Sequence, residues 1–494
     1  MFISKDIVQI EQKGLSVELV EEQIQHFENG FAYAPILRAA TIGDGILKID
    51  EEKLNFYSKK FEAASKNKKI SLFVPASGAA TRMFKALFTF MNEAKTSKDV
   101  EVFFDNIEGF AFYDELKNVF EKNEGNFENA LKNKKFQLIL AYLLTEKGLN
   151  YGHLPKALLL FHQYQNEKRS PLEEYFVEAA NYLGQNDKYI HFTVSEAHKA
   201  TFEKQVEKLK TKYEQKYSVK YHITFSQQNP NTDTIAVDLD NKPFRNEDNS
   251  LLFRPAGHGA LLQNLNQIDA DLVFIKNIDN VSLDNLKEDT STYKKVLAGI
   301  LLDFETKIAA CEFVLLNNPA QEELQLMNTF IREELNIAIS ETEFSKDFLL
   351  SKLQRPLRVC GMVKNEGAAG GGPFWVQNSD GTESLQIVES AQIAPEKQHI
   401  LENGTHFNPV DLVCSFKNSQ GEAYDLMQFR DLNMGFVSQK SKDGKALKAQ
   451  ELPGLWNAAM ADWNTIFVEV PASTFNPVKT VNDLLKKAHF DEKT

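Results

Sequence analysis

Six short apolar runs, separated by long stretches of helical periodicity, restrict the fold of this chain more than any other feature. They cover residues 70–75, 188–194, 221–225, 272–276, 357–363 and 465–470, and each reads as a strand. Strands alternating with helical segments point to an α/β sheet with helices on its faces. The run Leu272-Val273-Phe274-Ile275 has no polar alternation, the pattern of a strand covered on both sides. Residues 1–69 read as a helical N-terminal segment, with Val20, Ile24 and Phe27 spaced i, i+4, i+7 and an Asn29-Gly30 stop. Residues 70–494 then form one α/β domain carrying helical insertions at about 83–183 and 291–352. Within the first insertion only 101–104 reads as strand-like, and within the second Leu301, Phe304, Ile308 and Phe313 suggest a buried stripe. The Lys66-Asn67-Lys68-Lys69 and Lys132-Asn133-Lys134-Lys135 clusters read as solvated loop charges.

Charge and cysteine content exclude several classes. A net charge of -13 gives no counterion-release advantage on nucleic acid or anionic membranes, yet leaves room for a local nucleotide site. Cys311, Cys360 and Cys414 are far apart, so neither a disulfide framework nor a zinc site is suggested, and a reducing cytoplasm is expected. No apolar stretch approaches the ~20 residues that span a bilayer. The opening MFISKDIVQIEQKG lacks the apolar region of a signal peptide.

The strand at 70–75 runs into Ala76-Ser77-Gly78-Ala79-Ala80-Thr81-Arg82 and then an apolar-periodic run from Met83 to Phe90. Small residues let backbone amides approach an anion, a following helix offers unpaired N–H groups, and an arginine adds a planar fork of donors. The loop fits neither the Walker pattern nor GxGxxG, and an ordinary strand-to-helix connection is its plain alternative. Asp279 follows the 272–276 strand, at the carboxyl end where α/β sheets bind ligands, and an oxygen ligand there suits Mg²⁺ carried by a nucleotide; a simple Asp-Asn turn is the other reading. In Arg254-Pro255-Ala256-Gly257-His258-Gly259, two glycines flank a histidine that could meet a phosphate or cap the helix at Leu261. Lys479 lies between a proline-fixed turn and Asn482-Asp483-Leu484, placed either as a phosphate-binding charge or as a surface lysine. Glu366 to Pro373 is too glycine-rich for a strand and reads as a flexible or ligand-covering loop.

Taken in order, these segments resemble the UDP-sugar pyrophosphorylases, a group of nucleotidyltransferases. Ala76 to Met83 resembles that family's nucleotide loop, Phe192 to Ser195 a strand ending in serine, and Phe225 to Pro230 its FxQxxxP segment. Pro255 to Gly259 resembles PPGHG, Phe274 to Asn280 the FVSNSDN strand, and Ile387-Val388-Glu389 and Phe407-Asn408 its LVE and FN elements. Phe475 to Leu485 resembles FxPVKTxxDLL. The chain also looks like a member of a bacterial family of domains of unknown function marked by the string PASGAATRMFK.

The resemblance implies a GT-A-like, nucleotidyltransferase fold with a mixed central sheet, acting on a nucleoside triphosphate, UTP by the family's leaning, and a sugar 1-phosphate. It implies that Ala76, Ser77, Gly78, Ala79, Ala80, Thr81, Gln227, Gly257 and His258 bind nucleotide. Arg82, Lys479 and Asp279 would be catalytic, Asp279 would hold Mg²⁺, and Asn280, Glu389 and Asn408 would contact the sugar. The sequence departs from the family at Ser77 and Ala80, which replace loop glycines, and at Ala260, which replaces an aspartate. The lysine of the family's PK element has no clear counterpart, Lys85 being only a candidate, and the chain ends too soon after Lys479 for the C-terminal β-helix of some relatives. These departures keep open a catalytically degenerate nucleotide-sugar sensor, and the fold is also compatible with a glycosyltransferase or phosphotransferase.

Overall fold

A computed structural model describes residues 2–184, 187–340, 344–367, 371–442 and 444–490. The chain divides into two compact units. The first comprises residues 1–71, 226–275 and 295–470, and the second residues 72–225, 276–294 and 471–494. The strands that matter here are β1 (Thr41–Ile42), β2 (Gly45–Leu47), β3 (Ile70–Pro75), β4 (Asp187–Thr193), β5 (Lys220–Ser226), β6 (Leu272–Lys276), β7 (Leu357–Lys364), β8 (Asp411–Ser415) and β9 (Asn464–Glu469).

In the first unit the sheet order is β1-β2-β9-β7-β8-β6. β7 runs parallel to β9, with Leu357 opposite Asn464, and antiparallel to β8, with Leu357 opposite Ser415. The central sheet is therefore mixed, with helices packed around it. β7 is buried from Leu357 to Val363, which explains its near-continuous apolar character. In the helix Lys287–Leu316, Gly299 approaches the helix Glu51–Ala64 so closely that a Cβ would lie 2.1 Å from the Tyr57 carbonyl oxygen. Lys60–Asp303 at 2.5 Å and Lys295–Glu62 at 2.7 Å flank that crossing. Leu301, Phe304 and Ile308 are buried as expected, whereas Phe313 is 69% exposed: it has rotated off the stripe one turn before the helix ends.

Residues 1–69 are not helical throughout. The helices Ser4–Gln12, Val17–Asn29 and Glu51–Ala64 are interrupted by strands at Ile36–Ala39, Thr41–Ile42 and Gly45–Leu47, and β2 pairs with β9. Gly30 ends the second helix at φ +75°, the left-handed stop anticipated at Asn29-Gly30. Ile10, Val20, Ile24 and Phe27 pack on Ile235, Val237 and Leu251, so these helices belong to the core of the first unit.

In the second unit, β3, β4 and β5 lie side by side in that order. Residues 98–105, read above as containing a strand-like piece, form a helix. Val100, Phe103 and Phe104 recur at i, i+3, i+4 and are buried, so the helical period overrides the β-propensity of Val-Phe-Phe. Phe104 stacks on Phe136 with centroids 3.8 Å apart, and Phe103, Phe110 and Phe112 continue the aromatic core of this helical region. No described helix is long and apolar enough to cross a membrane.

Candidate functional site

Two separated pieces of chain are pinned together beyond β6. Asp279 and Asn280 pair with Pro477 and Val478: Asn280 bridges Pro477, and the Val478 N–H donates to the Asp279 carbonyl at 3.0 Å. The Asn280 side chain completes the clamp, accepting from the Asn476 N–H at 2.8 Å and donating to the Thr474 carbonyl at 3.3 Å. Both ends of its amide serve the main chain and the residue is buried, so Asn280 positions the Phe475–Lys479 segment rather than facing a sugar, as the resemblance implied. Asp483 caps the turn after Lys479, accepting from the Lys479 and Thr480 amides at 2.8 and 2.6 Å.

This pairing delivers two ammonium groups to one carboxylate. Lys479 Nζ lies 3.2 Å from Asp279 Oδ2, and Lys156 Nζ lies 2.8 Å from the same oxygen while donating to the Val478 carbonyl at 2.7 Å. Burial alone would raise the Asp279 pKa. The charges of Lys156 and Lys479 outweigh it and hold the carboxyl below its ordinary range.

Lys85, the candidate named from the sequence, is an exposed first residue of the helix Lys85–Glu93. The lysine that does join the cluster is Lys156, far down the helical region, which the sequence reading did not single out. Its backbone is stitched to the loop, with the Lys156 N–H donating to the Gly78 carbonyl at 3.2 Å and the Ala80 N–H to the Leu154 carbonyl at 3.1 Å, across an Ala79–Pro155 bridge.

Within the loop, Ser77, Gly78 and Ala79 are exposed, and a Cβ on Gly78 would meet nothing within 4 Å, so open space lies above it. The amides of Ala76 and Ala80 are spent on the Thr193 and Leu154 carbonyls, which removes these two as anion donors. Ala80 is fully buried, so its methyl group is directed into the core rather than over the loop. A 3₁₀ turn, Ala80–Arg82, intervenes before the helix begins at Lys85, so no helix start abuts the loop directly. Thr81 is exposed and its hydroxyl lies 3.4 Å from the Gly152 carbonyl; Arg82 is exposed and forms no hydrogen bond or ion pair among the described residues.

The remaining expected residues lie in the first unit. His258 stacks on Trp456, centroids 4.2 Å apart and planes within 9°, and its Nδ1 accepts the Leu455 N–H at 2.9 Å. It therefore does not cap the helix at Leu261. Burial lowers its pKa against the opposing pull of Glu389 and Glu451. Gly257 has φ +77°, and a Cβ there would meet the Glu451 carboxylate at 2.7 Å, so only glycine suits the position. Glu389 accepts from Asn457 Nδ2 at 3.0 Å. The Gln227 carbonyl accepts from Asn264 Nδ2 at 2.8 Å. Asn408 Oδ1 accepts the Val410 N–H at 3.0 Å, which props Val410 at φ +58° and commits that oxygen to the turn. Part of the glycine-rich loop expected to cover a ligand, residues 368–370, lies outside the described residues.

Among the described residues no group of three or more His, Cys, Asp or Glu side chains could hold a metal ion. A divalent ion here would have Asp279 as a single carboxylate ligand, the arrangement Mg²⁺ adopts when nucleotide phosphates and water complete its shell.

Solved structures share the fold. UDP-N-acetylglucosamine pyrophosphorylase from Trypanosoma brucei, in complex with an inhibitor, superposes with a TM-score of 0.50 at 12% identity, covering 95% of this chain and 74% of that one. A mutant of UDP-glucose pyrophosphorylase from Leishmania major gives 0.45 at 12% identity over 97% of this chain and 77% of that one. UDP-glucose phosphorylase from Trypanosoma brucei gives 0.44 at 14% identity, with 97% and 77% covered. A search of curated proteins found no match. The Trypanosoma brucei pyrophosphorylase likeness is one of fold, nucleotidyltransferase-like with a central mixed sheet. A family model matches residues 3–490, nearly the whole chain, and the chain belongs to that family, described as Domain of unknown function (DUF4301).

Proposed function

We propose that this chain is a nucleotidyltransferase that joins a nucleoside triphosphate, UTP foremost, to a sugar 1-phosphate and releases pyrophosphate. The observation that carries the reading is the convergence of Lys156 and Lys479 on Asp279, with Lys156 tied through its backbone to the exposed Ser77–Ala79 loop.

Two ammonium groups around one carboxylate form a replaceable ion cluster. A phosphate entering beside the loop competes with Asp279 for both lysines, and charge-assisted bonds to phosphate oxygens compensate those that are lost. The amides of Ser77, Gly78 and Ala79, with Arg82, suit the β- and γ-phosphates. A sugar-phosphate oxygen then attacks the α-phosphorus, a new O–P bond forms, and the α–β bridging bond breaks with its electrons leaving on pyrophosphate. No general base is required, because a phosphate monoester is already anionic at neutral pH, and the chain supplies positioning and charge neutralisation. Mg²⁺ brought by the triphosphate would find its protein ligand in Asp279 and would offset phosphate charge.

A second reading, a nucleotide-sugar sensor without catalysis, is favoured by one feature: an Asp matched by two lysines is also a stable structural cluster. Pyrophosphate release from UTP, measured over a panel of sugar 1-phosphates with Mg²⁺, separates the two. Release with one sugar, lost in Asp279→Ala, Lys156→Ala and Lys479→Ala, supports the transferase. Binding of UDP-sugar with no release or exchange supports the sensor.

A further inference from the structure

The first unit contains a cavity of about 360 Å³ beside the amino ends of β6 and β7. It is lined by Glu305, Ile308, Ala309 and Glu312 of the helix Lys287–Leu316 and by Lys68, Asp271, Arg355 and Lys417. Lys68, read from the sequence as a solvated charge, is one-third exposed at the edge of this cavity.

Most of the charges around this cavity are already matched. Lys417 pairs with Asp271 at 2.9 Å. Glu305 accepts from the Ser415 hydroxyl at 2.5 Å and pairs with Lys68 at 3.4 Å. Glu312 is left over, and Arg355, of opposite sign, is only loosely paired.

Glu312 is 3% exposed, lines the cavity, and makes no hydrogen bond or ion pair to any described residue. Glu312 sits one turn from the carboxyl end of its helix, where the macrodipole is negative and favours a cation beside the carboxylate. In the same lining, Arg355 donates through Nε to the Ser351 carbonyl at 2.9 Å, and its guanidinium has only a loose contact, 3.6 Å, with Asp462, itself half-exposed. Glu312 and Arg355 line one cavity without meeting each other. A stable fold gains nothing from holding an acid and a base apart in a half-closed space, but a ligand that bridges them satisfies both.

The geometry points to a binding site, distinct from the Asp279 cluster, for a small zwitterion of the α-amino acid class, its ammonium on Glu312 and its carboxylate on the Arg355 fork. The fork suits a carboxylate because two parallel N–H donors match its two oxygens. Ile308, Ala309 and Leu353 supply an apolar floor for a side chain.

The test is differential scanning fluorimetry and calorimetry of the full chain against the free proteinogenic amino acids. One or a few should raise the melting temperature, and for such a hit the N-acetylated and the carboxamide analogues should fail, since each lacks one charge. Glu312→Gln and Arg355→Gln should each weaken the hit by at least about tenfold, the range of one lost charge-assisted bond. The free Glu312→Gln protein should melt no lower than the parent, which shows that it folds. Lys479→Ala should retain the hit, placing the site apart from the Asp279 cluster. No stabilising amino acid in the panel, or a hit that binds equally well when N-acetylated or to Glu312→Gln, overturns the proposal.

Discussion

Lys479 and Lys156 hold the same carboxylate but differ in what their loss would do. The Lys479 side chain is 59% exposed, so its ion pair with Asp279 contributes at most about 1 kcal/mol to folding. Lys479→Ala should therefore leave the urea midpoint almost unchanged while lowering pyrophosphate release by about a hundredfold or more, the scale of one lost donor to developing charge. Asp279 is nine-tenths buried, and its removal strands the nearly buried Lys156 ammonium. Asp279→Ala should cost about 2–4 kcal/mol in urea unfolding as well as activity. His489 gives a separate handle on pH. Its Nδ1 lies 2.9 Å from His162 Nε2, whose ring in turn pairs with the buried Glu174, and burial together with His162 pushes the His489 pKa down to about 3. The unfolded chain binds this proton near pH 6.5 and the folded chain does not, so stability is lost as pH falls below about 6.5. Between pH 7 and 5 the loss should approach about 2 kcal/mol from this residue, and His489→Phe should flatten the melting-temperature profile over that window.

At the scale of elements, the crossing of the helices Glu51–Ala64 and Lys287–Leu316 depends on an absent side chain. Gly299→Ala would drive a methyl group to 2.1 Å from the Tyr57 carbonyl, and since backbone cannot swing aside as a side-chain tip can, about 2–3 kcal/mol of stability should be lost, read as a lowered urea midpoint. Six strands were legible as short, mainly apolar runs, and β6 and β7 are buried along nearly their whole length, whereas β8, with only Leu412-Val413-Cys414 between polar residues, was not read. Short strands such as β1 and β2 were not, because two or three residues carry no period. At the site, Asp279 and Lys479 were legible as the ends of a strand and a motif. Lys156 was not, since its role depends on pairing with a loop that precedes it by a long helical excursion. Asn280 departs from its expected role for a related reason: an asparagine side chain serves a ligand or the backbone equally well, and only the fold shows which.

At the scale of the whole molecule, a net charge of -13 offers an anion no general attraction, so the nucleotide binding proposed above would have to come from the local field of Lys156, Lys479 and the loop amides. Nucleotide should bind the folded state alone. At a concentration about one hundred times its dissociation constant, UTP should add about 2.7 kcal/mol and raise the melting temperature by a few degrees, a shift that Lys479→Ala should reduce. The Lys156 ammonium meets the Val478 carbonyl across 322 positions of sequence, and Lys479 meets Asp279 across 200. Contacts of such separation require everything between them to be ordered first, and loop-closure entropy makes them slow. Catalysis would thus report on time as well as on structure: in a refolding experiment, helical signal should return early, and turnover should appear only when the most distant pieces of chain have found each other.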